Sequence, residues 1–210
     1  MYDLEEQEKI DALKGWWQQN RVTLVGAVVT ALVVYAGING WKNWKGRQAE
    51  QAAEQYVTFQ KAAAAGDPAK VDAAARVIEE ASPSSPYAAR AALAAAQALA
   101  GAGKVAESRA EYEWVIAHAA EVQLQSIARI RLAGVLADAQ KYPDALTTLD
   151  GGVDPAFAAL AGDRRGDILL AQGKPAEARA AYRGALAGAE QNNPLRQILQ
   201  AKVDALGGGQ

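Results

Sequence analysis

The sequence predicts an all-α protein with one N-terminal membrane-spanning helix followed by a stack of helical hairpins. Three observations indicate this fold class. An uncharged run of 20 residues, Val22 to Trp41, lies near the N-terminus. The remainder is rich in alanine, which has the highest intrinsic helix propensity. Short breaks containing glycine or proline separate segments whose apolar residues recur at three- and four-residue steps, and no segment shows the period-two alternation of a strand.

The composition excludes several functional classes. The chain has 210 residues and a formal net charge of −2, which lacks the basic surplus of a nucleic-acid-binding protein. It contains no cysteine, so disulfides, thiolate metal sites, cysteine nucleophiles and lipid-modified cysteines are excluded. The absence of cysteine does not fix the compartment, although it is compatible with an oxidising one.

Residues 1–21 are predicted to form a short acidic segment that leads into the membrane. Ile10, Leu13 and Trp17 fall at helical spacing, which indicates an amphipathic helix. Acidic residues are concentrated at its start: Asp3, Glu5, Glu6 and Glu8. The segment is either a solubilising tail or a docking motif with a partner of its own, and the sequence does not separate the two.

Residues 22–41 are predicted to span the bilayer. A helix of this length measures about 30 Å, the thickness of the hydrocarbon core. Tryptophan rings, which settle at headgroup level, flank both ends: Trp16, Trp17, Trp41 and Trp44. A cleaved signal peptide would have a shorter apolar run and a small-residue cleavage site, and a buried core helix would show a polar face. Neither alternative matches this segment.

The orientation of the span does not follow from charge, because lysine and arginine are balanced on its two sides. Small residues at Gly26, Thr30, Ala36 and Gly40 have a spacing that allows close approach of another helix. Such residues are common in membrane helices, so a specific helix partner is only one interpretation.

Residues 42–206 are predicted to form tetratricopeptide-like repeats. Lys104, Lys141 and Lys174 lie 37 and 33 residues apart, close to the 34-residue period of such repeats. Four further columns align on these lysines: Ala96, Ala133 and Gly166; Leu99, Leu136 and Leu169; Ser108, Ala145 and Ala178; and Tyr112, Leu149 and Tyr182. The small residues permit close crossing of the two helices of a repeat, and the large residues fill the space beside them.

The two ends of the repeat array depart from this pattern. Residues 48–81, with Tyr56, Phe59, Val71 and Ile78, are predicted to be a degenerate helix pair that begins the stack. Residues 194–206 are predicted to be a capping helix over the last repeat. Residues 207–210 are predicted to be a disordered tail.

The sequence offers no catalytic, cofactor-binding or metal-binding residues, and we therefore predict a non-enzyme. The single histidine, His118, lies near a predicted helix end, where a cation interacts favourably with the helix dipole, so a structural role is expected. Glu79, Glu80, Asp163 and Asp167 have the spacing of solvated acidic faces. The segment from Asp163 to Asp167 is interpreted as a salt-bridged helix start, in which two arginines pair with the two aspartates, or alternatively as a partner-facing surface.

The chain resembles the YfgM-like ancillary subunits of the SecYEG translocon of Gram-negative bacteria. The resemblance begins with Glu8-Lys9-Ile10-Asp11-Ala12-Leu13-Lys14-Gly15-Trp16-Trp17 directly before the single span. It continues through Arg131-Leu132-Ala133, residues 145–150, residues 165–170 and the closing residues 199–206, so that it covers essentially the whole chain.

The resemblance implies an inner-membrane protein with a cytoplasmic N-terminus and a periplasmic repeat domain. It implies association with the SecYEG translocon and with a membrane-anchored periplasmic chaperone related to prolyl isomerases, and transfer of translocated client proteins to periplasmic chaperones. A scaffold of the same architecture that faces the cytoplasm and organises an unrelated complex is the alternative. An enzyme ranks third.

Overall fold

The computed structural model describes residues 2–207, and the side chains from Lys9 onward. Within this range the regular elements are helices: α1 (Tyr2–Ala64), α2 (Pro68–Ala81), α3 (Pro86–Gly101), α4 (Val105–His118), α5 (Val122–Asp138), α6 (Tyr142–Asp150), a 3₁₀ turn (Pro155–Phe157), α7 (Ala158–Ala171), α8 (Pro175–Gly188) and α9 (Leu195–Ala205). The all-α prediction is confirmed. Of the predicted tail, residues 208–210 lie outside the described residues, as do the side chains of the acidic residues at the start of the chain.

The first compact unit, residues 1–48, consists of the N-terminal part of α1. Its apolar side chains are exposed, as for Val22, which is 80% exposed, and Leu32, which is 60% exposed. The helix is long and apolar enough to cross a membrane, and none of its most apolar stretch is buried. A core helix of a soluble protein would bury these side chains, so the exposure favours lipid as their solvent.

Polar side chains within the predicted span form hydrogen bonds to the backbone of α1. Thr30 Oγ1 donates to the Gly26 carbonyl at 2.8 Å, and Asn39 Nδ2 donates to the Tyr35 carbonyl at 3.0 Å. These bonds satisfy hydrogen-bonding groups that would be costly to leave unpaired in hydrocarbon. The helical residues continue past Trp41, so the predicted end of the span at residue 41 is not marked by a break in α1.

The second unit, residues 49–210, contains the stacked hairpins. Three hairpins, α3–α4, α5–α6 and α7–α8, correspond to the three predicted repeats. They are preceded by α2, which packs with the C-terminal end of α1 through Phe59, Val71 and Ile78. Helix α9 follows α8 and contributes Leu199 and Val203 to the last core cluster.

The predicted columns are the contact points of each hairpin. All twelve column residues from residue 96 to residue 182 are buried. In the first repeat, Ser108 Oγ donates to the Ala96 carbonyl at 2.8 Å, directly across the two helices. In the third, Gly166 lies under the ring of Tyr182, where a Cβ atom would overlap the ring. The repeat register inferred from the three lysines is therefore correct.

The three hairpins use the same turn. The backbone N–H of Lys104, Lys141 and Lys174 donates to the carbonyl five residues earlier, at 2.9, 2.8 and 3.0 Å. The residue before each lysine is left-handed, with φ of 74° at Gly103, 60° at Gln140 and 76° at Gly173. This is a Schellman motif, which ends a helix and satisfies its last carbonyl groups. Gln140 adopts a conformation that glycine adopts without strain.

Candidate protein-binding surface

The stack has two unequal sides. The first helices of neighbouring hairpins contact each other, α3 with α5 and α5 with α7, whereas α4, α6 and α8 make no such contacts with one another in the part of the chain that the structure describes. Because the first helices lie closer together than the second helices, the stack is concave on the side of the first helices. Repeat arrays bind their partners on such concave surfaces. We call the surface formed by α3, α5 and α7 the inner face.

Arginines on the inner face reach from one first helix to the previous one. Arg131 of α5 donates from Nη1 to Gln97 Oε1 of α3 at 3.1 Å. Arg164 of α7 lies over Gly134 of α5, with its Cζ atom 3.3 Å from the position that a Cβ on Gly134 would occupy. Gly134 therefore makes room for the guanidinium. At the other edge of α3, Arg90 pairs with Glu121, 3.4 Å away.

The guanidinium of Arg131 also lies beside the hydroxyl of Tyr112. Burial raises the pKa of Tyr112, and the charge of Arg131 and its hydrogen bond partly oppose that shift. Tyr112 is 2% exposed and belongs to the same core cluster as Leu132 and Leu136 of α5. Arg131 itself remains exposed to solvent.

The segment from Asp163 to Asp167 differs from the sequence prediction. Its aspartates do not pair with its own arginines, because Lys202 of α9 donates to both Asp163 Oδ1 and Asp167 Oδ1 at 2.6 Å. Arg165 instead pairs with Asp150 of α6. The segment also lies in the middle of α7 and does not start it. Helical spacing could not predict these pairs, because the partners are remote in sequence.

Tyr182 completes this cluster. Its hydroxyl donates to Asp167 Oδ1 at 2.7 Å, and Lys202 Nζ lies 5.1 Å from the centre of its ring. Burial and the bond to Asp167 raise the pKa of Tyr182. Burial lowers the pKa of Lys202, but the bonds to the two aspartates more than compensate and the net shift is upward. The cluster fastens α9 to α7 and α8, so its role is structural.

A second polar cluster is buried between α2 and α4. Glu111, 3% exposed, and Glu79, 8% exposed, lie together with Arg76, whose Nη2 is 3.1 Å from Glu111 Oε1. Glu79 Oε1 and Glu111 Oε2 are buried without a hydrogen-bond donor. Burial, and then hydrogen bonding to Glu79, raise the pKa of Glu111 to about 8. One proton shared between the two carboxyl groups supplies the missing donor.

The interpretation of Glu79 as part of a solvated face is therefore wrong, and Glu111 was not identified as a site residue. A signal for Glu111 exists in the sequence, because Ser108, Glu111, Tyr112 and Val115 form one helical stripe. All four are buried. A charged residue on such a stripe predicts a buried, partnered carboxyl group.

His118 lies at the end of α4, as the sequence predicts. Its Nδ1 is 2.9 Å from the Trp114 carbonyl, and its ring stacks on Trp114 at a centroid distance of 4.6 Å. Both contacts are within one helical turn. Among the residues that the structure describes, no group of three His, Asp or Glu side chains is arranged to hold a metal ion.

Comparisons with known proteins cover nearly the whole chain. Residues 14–208 match the family model of the tetratricopeptide repeat-like domain. The ancillary SecYEG translocon subunit of Neisseria gonorrhoeae is 30% identical over 97% of this chain and 98% of its own length. The proteins of the same name from Escherichia coli and Haemophilus influenzae are 26% and 28% identical, over 96% and 86% of this chain and 96% and 88% of their own lengths. No solved structure matches the chain significantly.

Proposed function

Because this chain belongs to the family of ancillary SecYEG translocon subunits with a tetratricopeptide repeat-like domain, we propose that it is a membrane-anchored, non-catalytic adaptor of the SecYEG translocon. The observation that carries the proposal is the similarity over essentially the full length, through both the apolar helix and the hairpins. An anchor joined to a protein-binding stack suits a subunit that brings other proteins to a membrane complex.

The adaptor sits in the inner membrane with its N-terminus in the cytoplasm and its hairpins in the periplasm. There it contacts a membrane-anchored chaperone related to prolyl isomerases and helps to pass translocated clients to periplasmic chaperones. The apolar helix, whose side chains are exposed along its length, supports the membrane location. The inner face supports the protein-binding role, because α3, α5 and α7 lie side by side on one side of the stack.

Site-specific photo-crosslinking in native membranes tests the association. A photoreactive amino acid is placed at Val29 in the span, at exposed Leu160 on α7, and at exposed Arg183 on α8. We expect translocon subunits to be captured from at least one position in the span or on the hairpins. The same variants kept without irradiation serve as the control. If neither translocon subunits nor chaperones are captured from any position, the adaptor function is wrong.

Topology separates the adaptor from the alternative scaffold, which the balanced lysine and arginine residues around the span leave open. An epitope tag is attached to the C-terminus, and protease is added to intact cells, to spheroplasts and to lysed membranes. Loss of the tag reports that the C-terminus is accessible to protease. Cleavage once the outer membrane is opened supports the adaptor. Protection until the inner membrane is breached contradicts it and supports a cytoplasmic scaffold.

A further inference from the structure

Building on the proposed protein-binding role, we propose that Arg131 and Arg164 form a binding site on the inner face for extended acidic polypeptide segments. The two residues occupy the same position in successive repeats, 33 residues apart and ten residues before Lys141 and Lys174. Arg131 extends toward Gln97 and Arg164 toward Gly134. Gln97 and Gly134 also occupy equivalent positions, each seven residues before the lysine of its own repeat. The inner face thus carries a regular pair of guanidinium groups.

These two arginines lack a carboxylate partner within the described residues, in contrast to several charged groups near them. Arg90 is paired with Glu121, Arg165 with Asp150, and the two aspartates of α7 with Lys202. Arg131 bonds to two neutral groups, the Gln97 amide and the Tyr112 hydroxyl, and Arg164 lies against Gly134 with its Nε buried and unbonded. No salt bridge within the described part of the chain neutralises either guanidinium.

Guanidinium groups recognise carboxylates with particular strength, because their planar donors match the two oxygens of a carboxylate. Gln97 orients one group and Gly134 provides a flat seat for the other, so both are held before a ligand arrives. Partial burial of Arg164 reduces the screening of its charge by water. These features distinguish the pair from mobile surface arginines, which gain little from an added ion pair.

The spacing of the pair also specifies the ligand. Packed helices such as α5 and α7 lie about 8–10 Å apart, so equivalent side chains on them are separated by a similar distance. A polyproline II segment advances about 3.1 Å per residue and presents every third residue on one side. Carboxylates three residues apart in an extended chain therefore match the two arginines.

The test uses the full-length protein in detergent micelles and fluorescently labelled peptides. One peptide carries glutamate at every third position among alanine and proline, and a second carries glutamine at the same positions. Fluorescence anisotropy at low salt measures binding. The glutamate peptide should bind and the glutamine peptide should not. Binding should weaken by about tenfold or more in the double variant Arg131→Gln, Arg164→Gln.

The matched control is Arg109→Gln, Arg183→Gln, which makes the same change in net charge on the second helices α4 and α8. Equal binding by the two double variants, or no binding of the glutamate peptide to the unmodified protein, would overturn the site. Circular dichroism establishes that both variants are folded. If the site fails while the photo-crosslinks to the translocon persist, the adaptor function stands. If the crosslinks are absent, the adaptor function fails regardless of peptide binding.

Discussion

The tight contact between Gly166 and Tyr182 makes a sharp prediction for the variant Gly166→Ala. Gly166 of α7 belongs to the column of small residues, and a Cβ atom at this position would overlap three atoms of the Tyr182 ring. The ring cannot retreat freely, because Tyr182 is 1% exposed and its hydroxyl is bonded to Asp167 at 2.7 Å. One methyl group therefore disturbs both the packing and the cluster that holds α9.

The magnitude follows from three contributions. Overpacking a buried site costs about 1–3 kcal/mol. Loss of the bond from the Tyr182 hydroxyl to the charged Asp167 costs about 1.5–3 kcal/mol. Alanine gains about 1 kcal/mol over glycine within a helix. We expect Gly166→Ala to lower the free energy of unfolding by about 1.5–5 kcal/mol if the hydroxyl bond is lost, and by at most about 2 kcal/mol if it is kept.

Urea denaturation of the full-length protein in micelles, followed by circular dichroism, measures the change. The matched control is Gly184→Ala in the middle of α8, where a Cβ atom meets nothing within 4 Å. The same chemical change there should stabilise the protein by up to about 1 kcal/mol. If Gly166→Ala is as stable as Gly184→Ala, the close crossing of α7 and α8 is not the reason for the small residue.

Five other changes test the turns, the helix crossing, the buried carboxyl pair and the division of the chain. Gln140→Gly should raise the free energy of unfolding by up to about 1 kcal/mol, because residue 140 has a left-handed φ of 60° that glycine adopts without strain. Gly173→Ala, at φ 76°, should lower it for the same reason. Equal urea midpoints for the two variants would contradict the turn assignment. Ala178→Leu should cost about 1–3 kcal/mol by overpacking the fully buried crossing, as thermal unfolding would show. The pKa of Glu111, about 8 in the folded protein against an ordinary 4.5, means that the folded state keeps a proton that the unfolded state releases. The stabilising contribution of Glu111 is thus complete below pH 4.5 and is lost as the pH rises toward 8. The urea midpoint should therefore fall between pH 5.5 and 8.5, and Glu111→Gln should reduce that fall. An unchanged fall in the variant would show that other groups cause the pH dependence. A chain lacking residues 1–45 should be soluble and helical, and its aggregation in gel filtration would show that its apolar surface serves a partner.

The sequence predicts the hairpins well because their determinants are local and repeated. The small residues at Ala96, Ala133 and Gly166 recur at nearly constant spacing, and each is buried at a helix crossing. Periodicity and breakers are sufficient to locate such contacts, since each repeat packs mainly on its neighbours. The candidate membrane helix could also be recognised from the sequence, because a bilayer requires a minimum length of apolar residues.

The polar clusters could not be predicted in the same way. Lys202 reaches Asp163 and Asp167 across 39 and 35 residues of sequence, and these distances follow no repeat column. The inner-face position of Arg131 and Arg164 depends on which sides of the hairpins approach each other. Helical periodicity distinguishes an apolar face from a polar one, but it does not determine which charged groups on the polar face meet.

The shared turn and the lysine cluster together determine how the array can grow in evolution. The three hairpins share the same internal Schellman turn and the same columns of buried contact residues, so an extra copy of one hairpin between α6 and α7 would keep the repeat pattern. A hairpin inserted between α8 and α9 would instead separate Lys202 from its two aspartates and from the ring of Tyr182. Members of the family with longer arrays should therefore carry the extra repeats inside the stack, with α7, α8 and α9 kept together at its end.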